Sequence, residues 1–177
     1  MDSCHRHAVA RVDANGGTVS ALAGCKRVRS VSIPDAISYG VEDVHAWMVA
    51  RVTLMCQHLG NRAAPTVAWR AGGGEVRGIH VCVEVTMASV DAARAVGATL
   101  IVASVPVFGP VGDPSVAGLL SEVRWAATFA RHGLSCIDAS ALFTDPALGT
   151  ASASPSVVAA TLSQAFPQVP VYAYTSG

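Results

Sequence analysis

Three oxygen-bearing side chains stand where apolar runs end. Glu84 sits in the run that begins Ile79, Val81, Val83, Ser104 ends "TLIVAS", and Asp138 ends "LSCID". Burying a lone carboxylate in an apolar strand is costly, so Glu84 must be paired, exposed at a strand end, or part of a site. Asp138 raises the same question on its own strand. Two strand-borne carboxylates near one sheet edge could bind a cation or share a proton; the structural alternative pairs them with Arg70, Arg77 or backbone amides. Ser104 could hydrogen-bond a ligand. As a nucleophile it has no His near it in sequence, and Pro106, two residues on, bars the tight strand-to-helix turn of a nucleophile elbow.

Other chemistry is poorly supported. The "AGGGE" at 71–75 precedes a strand, whereas a phosphate cradle follows one and opens a helix, so it reads as a flexible turn. His45 and His58 share a helix but are not at metal-pair spacing. The five cysteines, Cys4, Cys25, Cys56, Cys82 and Cys136, contain no CxxC pair, and no secretory apolar segment opens the chain. A reduced compartment is expected, with Cys82 and Cys136 as core thiols. Twelve basic residues balance twelve acidic ones, and no Lys/Arg cluster interleaves with aromatics. Nucleic acid is therefore not an expected partner, and near-zero charge favours self-association into a homo-oligomer. The uncharged stretch from Ala95 to Gly112 is broken by Gly97, Pro106, Gly109 and Pro110, so no membrane span is expected there.

These side chains need a frame to hold them. With 177 residues, 51% of them apolar, the chain has room for one ordinary domain. Residues 1–35 are rich in Arg, Ser, Gly and Ala without periodic apolar pattern, and read as a poorly ordered leader or a targeting segment; the corresponding localisation is cytoplasmic, or mitochondrial if the leader is a transit segment. Residues 36–177 form the domain. A helical stripe runs from Val41 to Leu59, and residues 61–78 read as a loop. A strand follows from Ile79 to Thr86, then a short helix over "SVDAARAVG", a strand over "TLIVAS", and a helix from about Pro114 to Arg131. The chain then gives the strand-like "LSCIDASALF", a loop, a helix from Pro155 to Phe166, and a last strand, "VPVYAY". Alternating strands and helices predict a layered α/β domain with a mostly parallel sheet flanked by helices. Ligand sites in such sheets lie beyond the carboxyl ends of the strands, which marks Glu84, Thr86, Ser104 and the segment from Asp138 to Asp145 as the candidate cleft.

The run "GIHVCVEVTMASVDAARAVGATLIVASVPVFG" resembles the NIF-three-like proteins, also called GTP cyclohydrolase type-two-like. Upstream, "APTVAWRAGG" resembles that family's segment around "WDN", with Pro65, Ala68 and Trp69 in register; downstream, "HGLSCIDASALFTDPALG" resembles its "HTnlD" region. The likeness spans about residues 42–166 and implies an α/β fold in toroidal oligomers, with two divalent metal ions supporting hydrolysis. Carried onto this chain, the His pair of the family's "HHP" falls on Ser104 and Val105, with Pro106 and Phe108 retained. The Asp of "HTnlD" falls on Asp145 if Gly149 matches the following glycine, but its His falls on Ala141. The strand Asp becomes Glu84 and the "WDN" carboxylate becomes Arg70. The C-terminal "H..sE" motif has no counterpart before Gly177, so the chain reads as truncated relative to the family.

A transition-metal site needs roughly three or four ligands of imidazole or carboxylate character, which Ser and Val do not supply. The resemblance therefore implies a divergent domain with Asp145 as a remnant metal ligand, no cofactor, no catalytic residue, and a function in protein association. Two alternatives stand beside it. One is a metal-dependent hydrolase of a nucleotide-like or phosphorylated small molecule, using Glu84, Asp138 and Asp145 on Mg²⁺ or Mn²⁺; the other is a small-molecule binding module built on the cleft near Ser104.

Overall fold

The computed structural model describes residues 9–12, 18–20, 37–59, 64–105, 107, 116–143 and 154–175. In chain order these form β1 (Val9–Val12), β2 (Thr18–Ser20), α1 (Val41–Leu59), β3 (Thr66–Trp69), β4 (Ile79–Cys82), α2 (Met87–Ala95) and β5 (Leu100–Ala103). There follow α3 (Val116–His132), β6 (Ser135–Asp138), α4 (Ser140–Phe143), α5 (Pro155–Ala165) and β7 (Val171–Tyr174).

Parallel strands must be covered on both faces, because the crossover helices that connect them lie there. Strands β4 and β5 obey this fully: all eight of their residues are buried. The sheet has the order β2-β1-β7-β4-β5-β6-β3. Its centre, β7-β4-β5-β6, is parallel, and the flanking strands β1, β2 and β3 pair antiparallel. On one face Val44 and Met48 of α1, Leu142 of α4 and Val158 and Leu162 of α5 pack on Ile79, Val81, Leu100, Val102 and Ile137. On the other, Val90 and Ala93 of α2 and Phe129 of α3 pack on Cys82, Ile101, Ala103 and Cys136. The result is the layered α/β domain expected, with helices on both faces of a sheet whose core is parallel. Phe166, just past α5, ties the first face together by edge-on ring contacts with Tyr39 at 5.1 Å and Trp47 at 5.8 Å.

The elements depart from the sequence reading in four places. Residues 66–69, read as loop, are edge strand β3, which pairs with β6 through a register shift between Val67 and Trp69. The first core strand ends at Cys82, and Val83 and Glu84 form a bend beyond it, although the apolar alternation runs on to Val85. "LSCIDASALF" is not one strand, since β6 stops at Asp138 and α4 begins at Ser140. Finally, β1 and β2 lie within residues 1–35, and β1 pairs with β7 across the expected domain boundary.

Helices α2 and α3 end on Gly97 and Gly133, both in the left-handed region at φ +73° and +62°. A Cβ at Gly97 meets nothing within 4 Å, so the cost of adding one is backbone strain alone. Gly97→Ala is expected to lower unfolding stability by about 1 kcal/mol, measured by urea denaturation.

Candidate functional site

The crossovers β4-α2-β5 and β5-α3-β6 step one way along the sheet, and α5 then returns the chain to β7 on the other side of β4. The β7–β4 seam is thus where the strand order reverses, and the carboxyl end of such a seam is where open α/β sheets leave a crevice. A cavity of about 270 Å³ lies there, lined by Val83, Glu84, Thr86, Pro155, Tyr174 and Thr175.

Local bonding fixes how these residues emerge. Beyond β5 the Ser104 N–H donates to the carbonyls of Cys82 and Val83 (3.2 and 3.1 Å), and the Val105 N–H donates to Val83 at 2.8 Å. The β4–β5 pairing is thereby extended past both strands. Thr86 is the N-cap of α2. Its hydroxyl accepts the Ser89 N–H at 3.1 Å, while the Ser89 hydroxyl accepts the Thr86 N–H at 2.8 Å, a reciprocal capping box. At the other wall Ser154 caps α5, accepting from the Val157 N–H, with Pro155 in the first turn.

Glu84 is exposed at the strand exit, which resolves the question its sequence raised: its carboxylate stays in water. Of the two arginines considered as partners, Arg70 pairs instead with Glu42. Asp138 is half-buried at the end of β6 and accepts the Val107 N–H at 3.2 Å. Loss of solvent raises its pKa above the ordinary carboxylate value, and the Val107 N–H opposes that shift. Cys82, Ala103 and Asp138 are register neighbours across β4, β5 and β6, so Glu84 and Asp138 leave the sheet on strands two spacings apart, roughly 10 Å between backbones.

Of the candidate cleft, the structure therefore brings Glu84 and Thr86 together. It leaves Ser104 and Asp138 outside the lining, while Asp145 lies outside the described residues. Val83, Pro155, Tyr174 and Thr175 complete the described lining and were not foreseen, the last three because they join it only when α5 returns the chain and β7 docks beside β4. Among the described residues no three His, Cys, Asp or Glu side chains converge as a metal site, and the Ser104–Val105 exit offers no imidazole. The described residues alone do not supply the three or four ligands each ion of such a centre needs. His45 is held elsewhere, its Nε2 at 2.9 Å from the Pro65 carbonyl. Burial pushes the Cys82 thiol up to about 12 and raises Cys136 well above the ordinary value, so both are unreactive core thiols.

The edge carries another feature. Of the seven large apolar side chains left exposed among the described residues, four sit at this end of the sheet: Val83 (50%), Met87 (41%), Val105 (44%) and Val157 (37%). Val83 and Val105 lie just beyond β4 and β5, Met87 begins α2 on one face of the sheet, and Val157 lies in the first turn of α5 on the other. Among the described residues no helix is long and apolar enough to cross a membrane.

No family profile and no curated protein matches the sequence. Among solved structures the fold is similar to two bacterial proteins. One is a Bacillus cereus protein related to NIF3, at 15% identity and a TM-score of 0.44, covering 61% of this chain and 29% of that one. The other is a Staphylococcus aureus hypothetical protein, at 18% identity and a TM-score of 0.42, covering 60% of this chain and 35% of that one. The match thus spans about a third of the length of these structures.

The Asp138 environment gives a signed prediction. A carboxyl whose folded-state pKa is raised carries no penalty while protonated in both states, and acquires one as pH rises through the folded-state value. Asp138→Asn keeps an oxygen for the Val107 N–H and removes the charge. It is expected to be more stable than wild type at pH 7, by at most about 1 kcal/mol because half-exposure screens the effect, with the advantage vanishing near pH 3. Urea denaturation at the two pH values reads the difference.

Proposed function

We propose that this chain is a divergent NIF-three-like domain that acts by protein association, in the first instance with copies of itself, through the carboxyl edge of its sheet. The observation that carries the reading is the apolar rim of Val83, Met87, Val105 and Val157 around the strand exits. An α/β protein that works on a small polar substrate places polar side chains there. Here Val83 and Val105 are exposed beside Glu84 and Ser104 where β4 and β5 end, and exposed aliphatic side chains at strand exits are what a protein interface covers. Near-zero net charge removes the long-range repulsion that would keep copies apart.

On this reading no metal ion is assigned to the domain. A hydrolase using Glu84, Asp138 and Asp145 would have to draw together Glu84 and Asp138 from strands two spacings apart, and a binding module would have to fill the cleft beside Glu84. Each would leave its own signature.

The test is the mass of the purified protein by light scattering, with metal content measured on the same sample. A defined oligomer is expected, unchanged by chelator, and Val83→Glu with Val105→Glu is expected to shift it towards monomer by at least tenfold in dissociation constant. A monomer at all concentrations would overturn the reading. One or two divalent ions per chain, lost on Asp145→Ala together with activity, would establish the hydrolase instead.

A further inference from the structure

One polar side chain inside the sheet has no part in the chemistry above. His80 lies in the middle of β4, fully buried, and among the described residues neither Nδ1 nor Nε2 has a hydrogen-bond partner. It is flanked in register by Ile101 of β5 and Tyr172 of β7, and its ring lies 5.5 Å from that of Tyr174, tilted by 40°. Tyr174 in turn lines the cavity at the carboxyl edge. His80 thus sits on the β4–β7 seam, one ring away from the cleft.

Among the described titratable groups on the elements around it, none is a buried anion. From β4 the titratable groups are Cys82, a buried thiol, and Glu84, exposed beyond the strand end. From β7 they are Tyr172 and Tyr174, while β5 contributes apolar Ile101, and Cys136 of β6 lies one strand further along the row. On α2 the charged residues are Asp91 and Arg94, exposed and paired with each other at 3.2 Å. Those of α3, namely Glu122, Arg124 and Arg131, are exposed, and His132 is half-buried. A buried imidazolium with no anion beside it and no hydrogen-bond acceptor in place among the described residues is costly to keep, so proton uptake and burial oppose one another.

We propose that His80 is an acid-operated latch: protonation of its ring forces the β4–β7 seam open and, through Tyr174, dismantles the cleft at the carboxyl edge. The latch is independent of what the carboxyl edge binds. Burial alone holds the ring well below the ordinary histidine value, at about 4 against 6.5. The opened state therefore takes the proton first as pH falls. Stability from the neutral ring is complete above about pH 6.5 and is lost between there and about pH 4, where the opening equilibrium rises by close to tenfold per pH unit.

The test compares the full chain with His80→Phe and His80→Gln. Urea unfolding and amide exchange of β4 and β7, corrected for intrinsic rates, are followed from pH 7.5 to pH 4.5. Between pH 6.5 and 4.5 the wild-type opening constant is expected to rise about fortyfold, with β4 and β7 losing protection together, and the variants are expected to change less than about tenfold. Equal pH dependence in wild type and variants would overturn the proposal, as would opening that spares β7. Should neither variant fold, the carbon-bound ring protons of His80 in wild type decide by NMR, since titration near pH 6.5 with the fold intact would also overturn it.

Discussion

Burial of β4 and β5 on both faces is the constraint on which the rest depends. Every residue of the two strands is buried, so the helices must divide between two layers, α1, α4 and α5 against α2 and α3. The same constraint expels charge from the middle of the sheet. Glu84 appears only after β4 has ended, and Asp138 only as β6 ends, where each carboxylate can keep some water. Any chemistry the fold supports is thereby pushed to the strand ends, which is a matter of solvation before it is one of function.

What emerges at those ends is set by backbone bonding. The amides of Ser104 and Val105 both bond to Val83, so the two exits run side by side for two residues more than the strands themselves. This is the geometry in which a pair of adjacent side chains on β5 could be presented outward. Here the pair is a half-buried Ser104 and an exposed Val105, beside an exposed Val83. The scaffold for presentation does not depend on the imidazoles that the resembling family carries there, because main-chain groups build it.

Legibility from sequence followed the range of the forces involved. Helix α1 was legible from Val41 to Leu59 because its apolar stripe is local and Gly60 follows it. Strand β3 was not, since four residues between Pro65 and a glycine run carry too little pattern, and its pairing partner β6 is about seventy residues away in sequence. Nor was α4, because ten mostly apolar residues fit either a long strand or a short strand and a helical turn. Within the cleft, Glu84 and Thr86 were legible as residues following a core strand. Tyr174, Pro155 and Thr175 depended on β7 returning to lie beside β4, a long-range choice of strand order that no local signal in the chain encodes. The burial of His80 was not legible either: it alternates with Ile79 and Val81, and only a sheet covered on both faces buries both halves of that alternation.

The apolar rim can be weighed in the same physical terms. Its four side chains are about half exposed, and covering a Val or Met side chain fully contributes roughly 1.5–3 kcal/mol, so each supplies about 1 kcal/mol more when covered. In a twofold pairing both copies contribute, which brings the rim to roughly 8 kcal/mol against an association cost of about 4–15 kcal/mol. The rim by itself is therefore near break-even. A stable assembly must recruit polar bonds around it, and Glu84, Thr86 and Thr175, standing beside the rim at the cleft, are placed to provide them. If copies pair through this edge as proposed, that arithmetic makes the polar cleft and the apolar rim parts of one surface, the second excluding water and the first fixing orientation, rather than competing sites.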